Sequence, residues 1–485
     1  MSHSSPDAYP KETPQTHKLN LKTKLAYGAG DLGPAITANI MAFFLLVFFT
    51  NIAGISPGLA GTILLIGKIW DAVNDPIVGV LSDRTQSRWG RRLPWLLYGA
   101  IPFGIFYFLH WIVPQFSADP VANRWGLFWY YVAIGIVFNV FYTIVNLPYT
   151  ALTAELTQDY NERTTLNSFR FAFSIGGSIL SLILAQVIFS AVADLRQRYL
   201  VLGAVCAVLS VLPLYWCVWG MRDRVVAVES QRRETQEPDE SLPFLQQLGI
   251  VFNNRPFLYV IGIYLCSWLG VQVTAAIIPY FVVNCMRLED KDIPTVIIAV
   301  QGTALVMLFV WSYISERVGK KAVYFMGMTL WIMAQAGLFF LQPEQLGLMY
   351  FLAVMAGFGV STAYLIPWSM MPDVIELDQL KTGQRREGIF YGFMVLLQKF
   401  GLALGLFLVG IALDWSGFQE TIAGQAIPEQ PASALLAIRV AIGPLPTLCL
   451  IVGIVLAYFY PITREVHAEI LLKLKERQRG NGEIG

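Results

Sequence analysis

The stretch "KIWDAVNDPIVGV", residues 68–80, places Lys68, Asp71 and Asp75 among neighbours that are nearly all apolar. Asp71 and Asp75 are four residues apart, so on a helix both carboxylates project from one face. Such a pair suits a hard monovalent cation or a proton, and a nearby ammonium can stand in for either. Lys68, one turn before Asp71, offers one ammonium; Lys399, set in a separate apolar run, offers another. The same four residues could instead form a static salt-bridge cluster. An Asp at the centre of a membrane helix costs about 2.5–3.5 kcal/mol on insertion scales, so neither carboxylate is kept without compensation.

The elements that must hold these groups follow from composition. The chain has 485 residues, 55% hydrophobic and only 14% charged, where soluble domains run near ~25% charged. Mean hydropathy is +0.55. The 34 basic and 33 acidic residues balance, which removes nucleic acid as an obvious partner. Twelve apolar stretches are each long enough to cross a hydrocarbon core of ~30 Å as a helix. They lie near 30–52, 58–82, 95–113, 126–152, 166–192, 199–220, 257–284, 294–314, 322–341, 347–371, 389–414 and 434–461. The expected fold class is an all-α membrane protein with twelve transmembrane helices in two pseudo-symmetric six-helix bundles.

The expected organisation is a tail (1–24), a first bundle (25–220), a linker loop (221–243), a second bundle (244–461) and a second tail (462–485). The first tail lacks an apolar core followed by small residues and reads as disordered, not as a cleaved signal. The second reads as a short basic amphipathic helix. Lys and Arg number about two dozen in the tails and the loops after even spans, against about six in the loops after odd spans, which puts both termini in the cytoplasm. Two loops repeat one order of residues. Asp83–Arg84 precede Gly90–Arg91–Arg92, and Glu316–Arg317 precede Gly319–Lys320–Lys321. Equivalent loops in equivalent places imply a parallel repeat. The five cysteines show no metal or redox spacing and read as small apolar residues. Trp89, Trp95, Trp111 and Trp125 fall at span ends and read as interface anchors.

Three blocks carry a family likeness: "GKIWDAVNDPIVGVLSDRTQSRWGRRLPW" (67–95), "NLPYTALTAELTQDYNERTTLNSFR" (146–170) and "PDVIELDQLKTGQRREGIFYG" (372–392). The chain resembles the major facilitator superfamily, and within it the glycoside–pentoside–hexuronide:cation symporters related to the melibiose carrier. The resemblance implies that Asp71 and Asp75 bind the coupling cation, Na⁺ or H⁺, with Lys399 and Lys68 as charge partners. It further implies alternating access without a cofactor, in the plasma (inner) membrane.

Substrate candidates are Asn146, Tyr149, Thr150, Arg170 and Asp31. Asn146 precedes Pro148 and could line a cavity or bond a neighbouring helix; Arg170 could meet a substrate or pair with Glu155 or Glu162. Asp83, Arg84, Arg91, Arg92, Asp373, Arg385 and Arg386 are candidate gating residues that pair with helix ends when the cytoplasmic side closes. Galactoside-type members place a carboxylate where this chain has Ala35 and another where it has Asn146, with Thr150 at the nearby aromatic position. Asp31, one turn before Ala35, offers a partial substitute.

Three functions therefore stay open: symport of a sugar or glycoside, symport of a lysolipid or other amphiphile, and a non-transporting membrane receptor. "PYTALT" (148–153) resembles the sodium-dependent lysolipid transporters. The expected partners are a small-molecule substrate, a monovalent cation and the bilayer, with the chain acting as a monomer. No nucleophile constellation or phosphate loop appears, which argues against an enzyme or an ATP-driven pump.

Overall fold

The computed structural model describes residues 19–156, 160–234, 244–383, 387–420 and 428–482. Among these, the regular structure is helical. We label the long helices α1 (Leu21–Asn51), α2 (Pro57–Arg84), α3 (Leu93–Leu109), α4 (Pro120–Leu156), α5 (Tyr160–Ala191) and α6 (Leu195–Glu234). A second set follows: α7 (Arg255–Cys285), α8 (Ile293–Val318), α9 (Lys320–Phe340), α10 (Leu346–Thr382), α11 (Glu387–Trp415) and α12 (Ala432–Phe459). Ten are long and apolar enough to cross a membrane; the others are α3, with 17 residues, and α2, which carries the ionisable cluster. Two further helices, Phe244–Asn253 and Arg464–Gly482, lie before α7 and after α12.

Local chemistry sets the helix ends. α2 opens on Pro57, whose missing N–H costs nothing in a first turn, and closes on Arg84, a cation at the negative end of the helix dipole. Asn254 caps α7 by accepting from the Phe257 amide at 3.1 Å. Gly383 ends α10 with φ of 76°, a left-handed conformation that glycine adopts without strain.

The expected linker loop 221–243 is corrected in its first part: α6 stays helical to Glu234. The run "MRDRVVAVESQRRE" holds no Gly or Pro, and Met221 and Val225 are buried against Leu93 and Leu156, so packing carries the helix on.

The first six helices pack chiefly on one another, as do the last six. They meet where α2 crosses α11, α5 meets α8, and α1 touches α7. At the α2–α11 crossing a Cβ on Gly410 would sit 2.5 Å from the Pro57 carbonyl oxygen, so backbone touches backbone only because glycine is there. The start of α1 and the end of α12 lie on one face, called here the termini face; the opposite one is the far face. Trp111 is corrected from interface anchor to core residue. It is 1% exposed and stacks on Tyr199 at 5.9 Å, filling the space that Gly203 leaves open.

Candidate functional site: a charge cluster between the two halves

α2 delivers Asp71 and Asp75 to one side of its helix, as their spacing requires, and α11 brings Lys399 to meet them. The Lys399 Nζ lies 2.5 Å from Asp75 Oδ2 and 3.0 Å from Asp71 Oδ2. Its hydrogen bond goes to Asp75. Asp71 Oδ2 has ammonium neighbours but accepts no hydrogen bond. Lys68 Nζ stands 3.6 Å from the same oxygen and donates to Asn139 Oδ1 at 3.0 Å. Its ammonium also lies 5.8 Å from the centre of the Tyr142 ring. The two carboxylates differ in access: the Asp71 side chain is 0% exposed and that of Asp75 21%.

Two acids and two lysines make the cluster neutral overall. Removing one partner of a buried pair leaves a charge with no water to replace it, which costs about 3–5 kcal/mol.

α4 contributes the groups that a reading of charges alone misses. Thr143 Oγ1 lies 3.0 Å from both Asp71 Oδ1 and Asp75 Oδ1. One hydroxyl proton serves one carboxylate at a time, so Thr143 can follow charge between them. Asn139 holds Lys68 and anchors its own amide on the Gly135 carbonyl at 2.7 Å. Asn139, Thr143, Asn146 and Thr150 recur at i, i+4, i+7 and i+11, a polar stripe on one face of an apolar helix. That periodicity is the signal that could have found them. Asn146 Oδ1 and Asn74 Nδ2 are buried and make no hydrogen bond.

A second ion pair lies in the same half. Arg170 Nε of α5 sits 3.3 Å from Asp31 Oδ2 of α1, at the break between the two first segments of α1. The alternative partner Glu162 is taken by Lys24 at 3.1 Å, and the Glu155 side chain lies outside the described residues. Thr150 Oγ1 donates to the Leu147 carbonyl at 2.9 Å within its own helix. Tyr149, another substrate candidate, packs inside its own half. It is fully buried, stacks on Tyr27 at 5.1 Å and donates its hydroxyl proton to the Tyr27 carbonyl at 2.7 Å. Its position one residue from Thr150 turns it away from the stripe.

The other half answers with rings. Tyr264 and Trp268 of α7, Tyr364 and Trp368 of α10 and Tyr391 of α11 form one aromatic cluster, with centroids 5.3–6.2 Å apart from neighbour to neighbour. Trp268 fits against Gly401, two residues along α11 from Lys399.

On the termini face, Asp83, Arg92 and Asp373 each have a partner in their own half. Arg92 Nη2 meets Asp83 at 2.7 Å, while Arg84 stands exposed at the end of α2 and Arg91 is half-buried. Asp373 holds Lys320 at 2.7 Å and lies 3.4 Å from His467 Nε2, which also meets Glu376 at 2.7 Å. The tail helix therefore reaches the end of α10. Arg385 and Arg386 lie outside the described residues.

With this geometry in place, comparison with known proteins decides the family. The family model described as MFS/sugar transport protein matches residues 26–464. The chain belongs to this family. An uncharacterized symporter of Synechocystis sp. is 53% identical over 96% of this chain and 98% of its own length. The mouse sodium-dependent lysophosphatidylcholine symporter 1 is 27% identical over 97% of this chain and 92% of its own. Among solved structures, a bacterial homolog of the human lysosomal transporter Spinster, in an inward-facing and unoccupied conformation, superposes with a TM-score of 0.64. It is 11% identical and covers 93% of this chain and 97% of its own, a likeness of fold alone. This member of the major facilitator superfamily is a multi-pass membrane transporter of the symporter type and not an enzyme.

Proposed function

We propose that the protein couples uptake of a sugar or glycoside to Na⁺ or H⁺, with Asp71 and Asp75 as the cation site. The observation that carries this reading is Lys399. An ammonium from one half occupies the carboxylates of the other, so an ion arriving at Asp75 displaces a contact between halves. The more accessible Asp75, the hydroxyl of Thr143 and the oxygen of Asp71 that accepts no hydrogen bond are the ligands a small monovalent cation needs. Charge relief on loading favours substrate binding, and linkage makes the effect reciprocal.

In this reading the bundles 25–220 and 244–461 rock about the α2–α11 crossing, and Asp31, Arg170 and Asn146 face the substrate. Both termini lie in the cytoplasm, the membrane is the plasma (inner) membrane, and the unit is a monomer. Asp83, Arg84, Arg91, Arg92, Asp373, Arg385 and Arg386 close the cytoplasmic side.

A second reading, symport of a lysolipid or related amphiphile, is favoured by the sodium-dependent relatives and by Ala35, which cannot accept a sugar hydroxyl. The aromatic cluster serves either ligand, by stacking on a sugar ring or by packing an acyl chain.

The deciding experiment is uptake from a library of sugars, glycosides and lysolipids into vesicles, with imposed Na⁺ or pH gradients, for wild type and Asp75→Asn. Concentrative uptake that one gradient drives and Asp75→Asn abolishes supports the proposal. Normal concentrative uptake by Asp75→Asn removes it.

A further inference from the structure

The far face joins the halves by hydrogen bonds, whereas the termini-face ion pairs Lys24–Glu162, Arg92–Asp83 and Lys320–Asp373 each stay within one half. Gln301 Nε2 of α8 donates to Asn39 Oδ1 of α1 at 2.9 Å, and Thr295 Oγ1 donates to Gln186 Oε1 at 2.6 Å. Arg124, at the start of α4, pairs with Glu420, just after α11, at 2.6 Å. Deepest of all, Thr50 Oγ1 of α1 and the Tyr280 hydroxyl of α7 lie 2.8 Å apart with both residues fully buried. A half-buried pair such as Arg124–Glu420 is still reached by solvent, which screens it. A buried hydroxyl pair cannot exchange its partner for water until the interface opens.

The backbone is unusual at the same place. α1 contains a π turn at Met41–Leu45, which packs against α7, and α7 ends in a π turn at Phe281–Cys285, directly after Tyr280. π turns insert one residue beyond the α repeat and concentrate at functional points of helices. Here the first helix of each half carries one, beside the residues that meet. The α1 turn ends five residues before Thr50.

We infer that the ends of α1 and α7 form the far-face gate and that the Thr50–Tyr280 hydrogen bond is its latch, made while this face is closed and broken when it opens. The inference rests on the alternating-access reading above. A bond present in only one of two states biases the equilibrium by its whole net strength. A typical net hydrogen bond corresponds to about a fivefold change in the closed-to-open ratio.

The test measures distances between spin labels on Val121→Cys and Leu436→Cys, exposed far-face positions in opposite halves, in the full chain in lipid nanodiscs. Thr50→Val and Tyr280→Phe should each raise the long-distance fraction about fivefold. The double variant should go no further than either single one, because both remove the same bond. Unchanged distributions in both singles, beside a clear shift in Gln301→Leu or Glu420→Gln, overturn the latch and leave the gate elsewhere. A single distance in every variant, including the combined Thr50→Val, Gln301→Leu and Glu420→Gln chain, overturns alternating access itself.

Discussion

The two halves bring opposite chemistry to the middle of the molecule. On the α1–α6 side stand Asp31, Lys68, Asp71, Asp75 and Arg170, tied by Asn139 and Thr143. On the α7–α12 side stand five aromatic rings and one ammonium, Lys399. Charge is thus concentrated in one body, and Lys399 of the other body pairs with it. In the proposed cycle a site built this way keeps its geometry when the halves move, and Lys399 registers the movement.

The sharpest way to break this contrast is to unbalance the charge. Asp71→Ala leaves two ammonium groups, Lys68 and Lys399, to the single carboxylate of Asp75 and should destabilise the fold by about 3–5 kcal/mol, seen as a lowered Tm in detergent. If Asp71→Ala melts like wild type, the cluster is hydrated and the contrast between halves dissolves. Trp268→Ala should cost about 3–5 kcal/mol as well, through a cavity, but its loss should not depend on Na⁺ concentration or salt. A salt-dependent loss there would mean the aromatic side shares the electrostatics of the other.

Lys399→Met leaves Asp75 without its ammonium; pairing it with Asp75→Asn should restore most of the lost stability. A double-mutant cycle of thermal melts measures the coupling, expected at about 1.5–3 kcal/mol for a hydrogen bond to a charged group. Additive losses would show that the two groups do not speak to each other. Thr143→Val removes one such hydrogen bond and should cost about 1.5 kcal/mol, roughly halved when Asp71 and Asp75 are both already Asn, whose amide oxygens still accept but carry no charge. The smallest effect belongs to Tyr149→Phe, about 1 kcal/mol of stability with any cation-dependent protection against melting unchanged, since its hydroxyl serves only the Tyr27 carbonyl. A change in cation-dependent protection would return Tyr149 to the site.

Much of this was legible in the residues. Twelve apolar runs state their own structure, because a backbone in hydrocarbon satisfies itself only as a helix or a closed barrel. The i, i+4 spacing puts Asp71 and Asp75 on one face, and Lys399, an ammonium in a separate apolar run, stands out as a partner for them. The Asp31–Arg170 pair was not legible. Its members were weighed separately, and Arg170 had two nearer acids in sequence. Trp111 at a span end and Tyr149 beside a polar stripe both lie buried, which their positions in sequence do not announce: a side chain's surroundings depend on which helix packs over it.

Sequence alone therefore determined the helices, their number and the need for compensated carboxylates, since each follows from short-range geometry and the cost of polar groups in lipid. Tertiary structure decided which ammonium meets which acid, that Thr143 and Asn139 complete the cluster, and that Thr50 finds Tyr280 on the far face. These pairings join residues distant in the chain, and only the crossing of particular helices, set by glycines such as Gly61 and Gly410, brings them within reach.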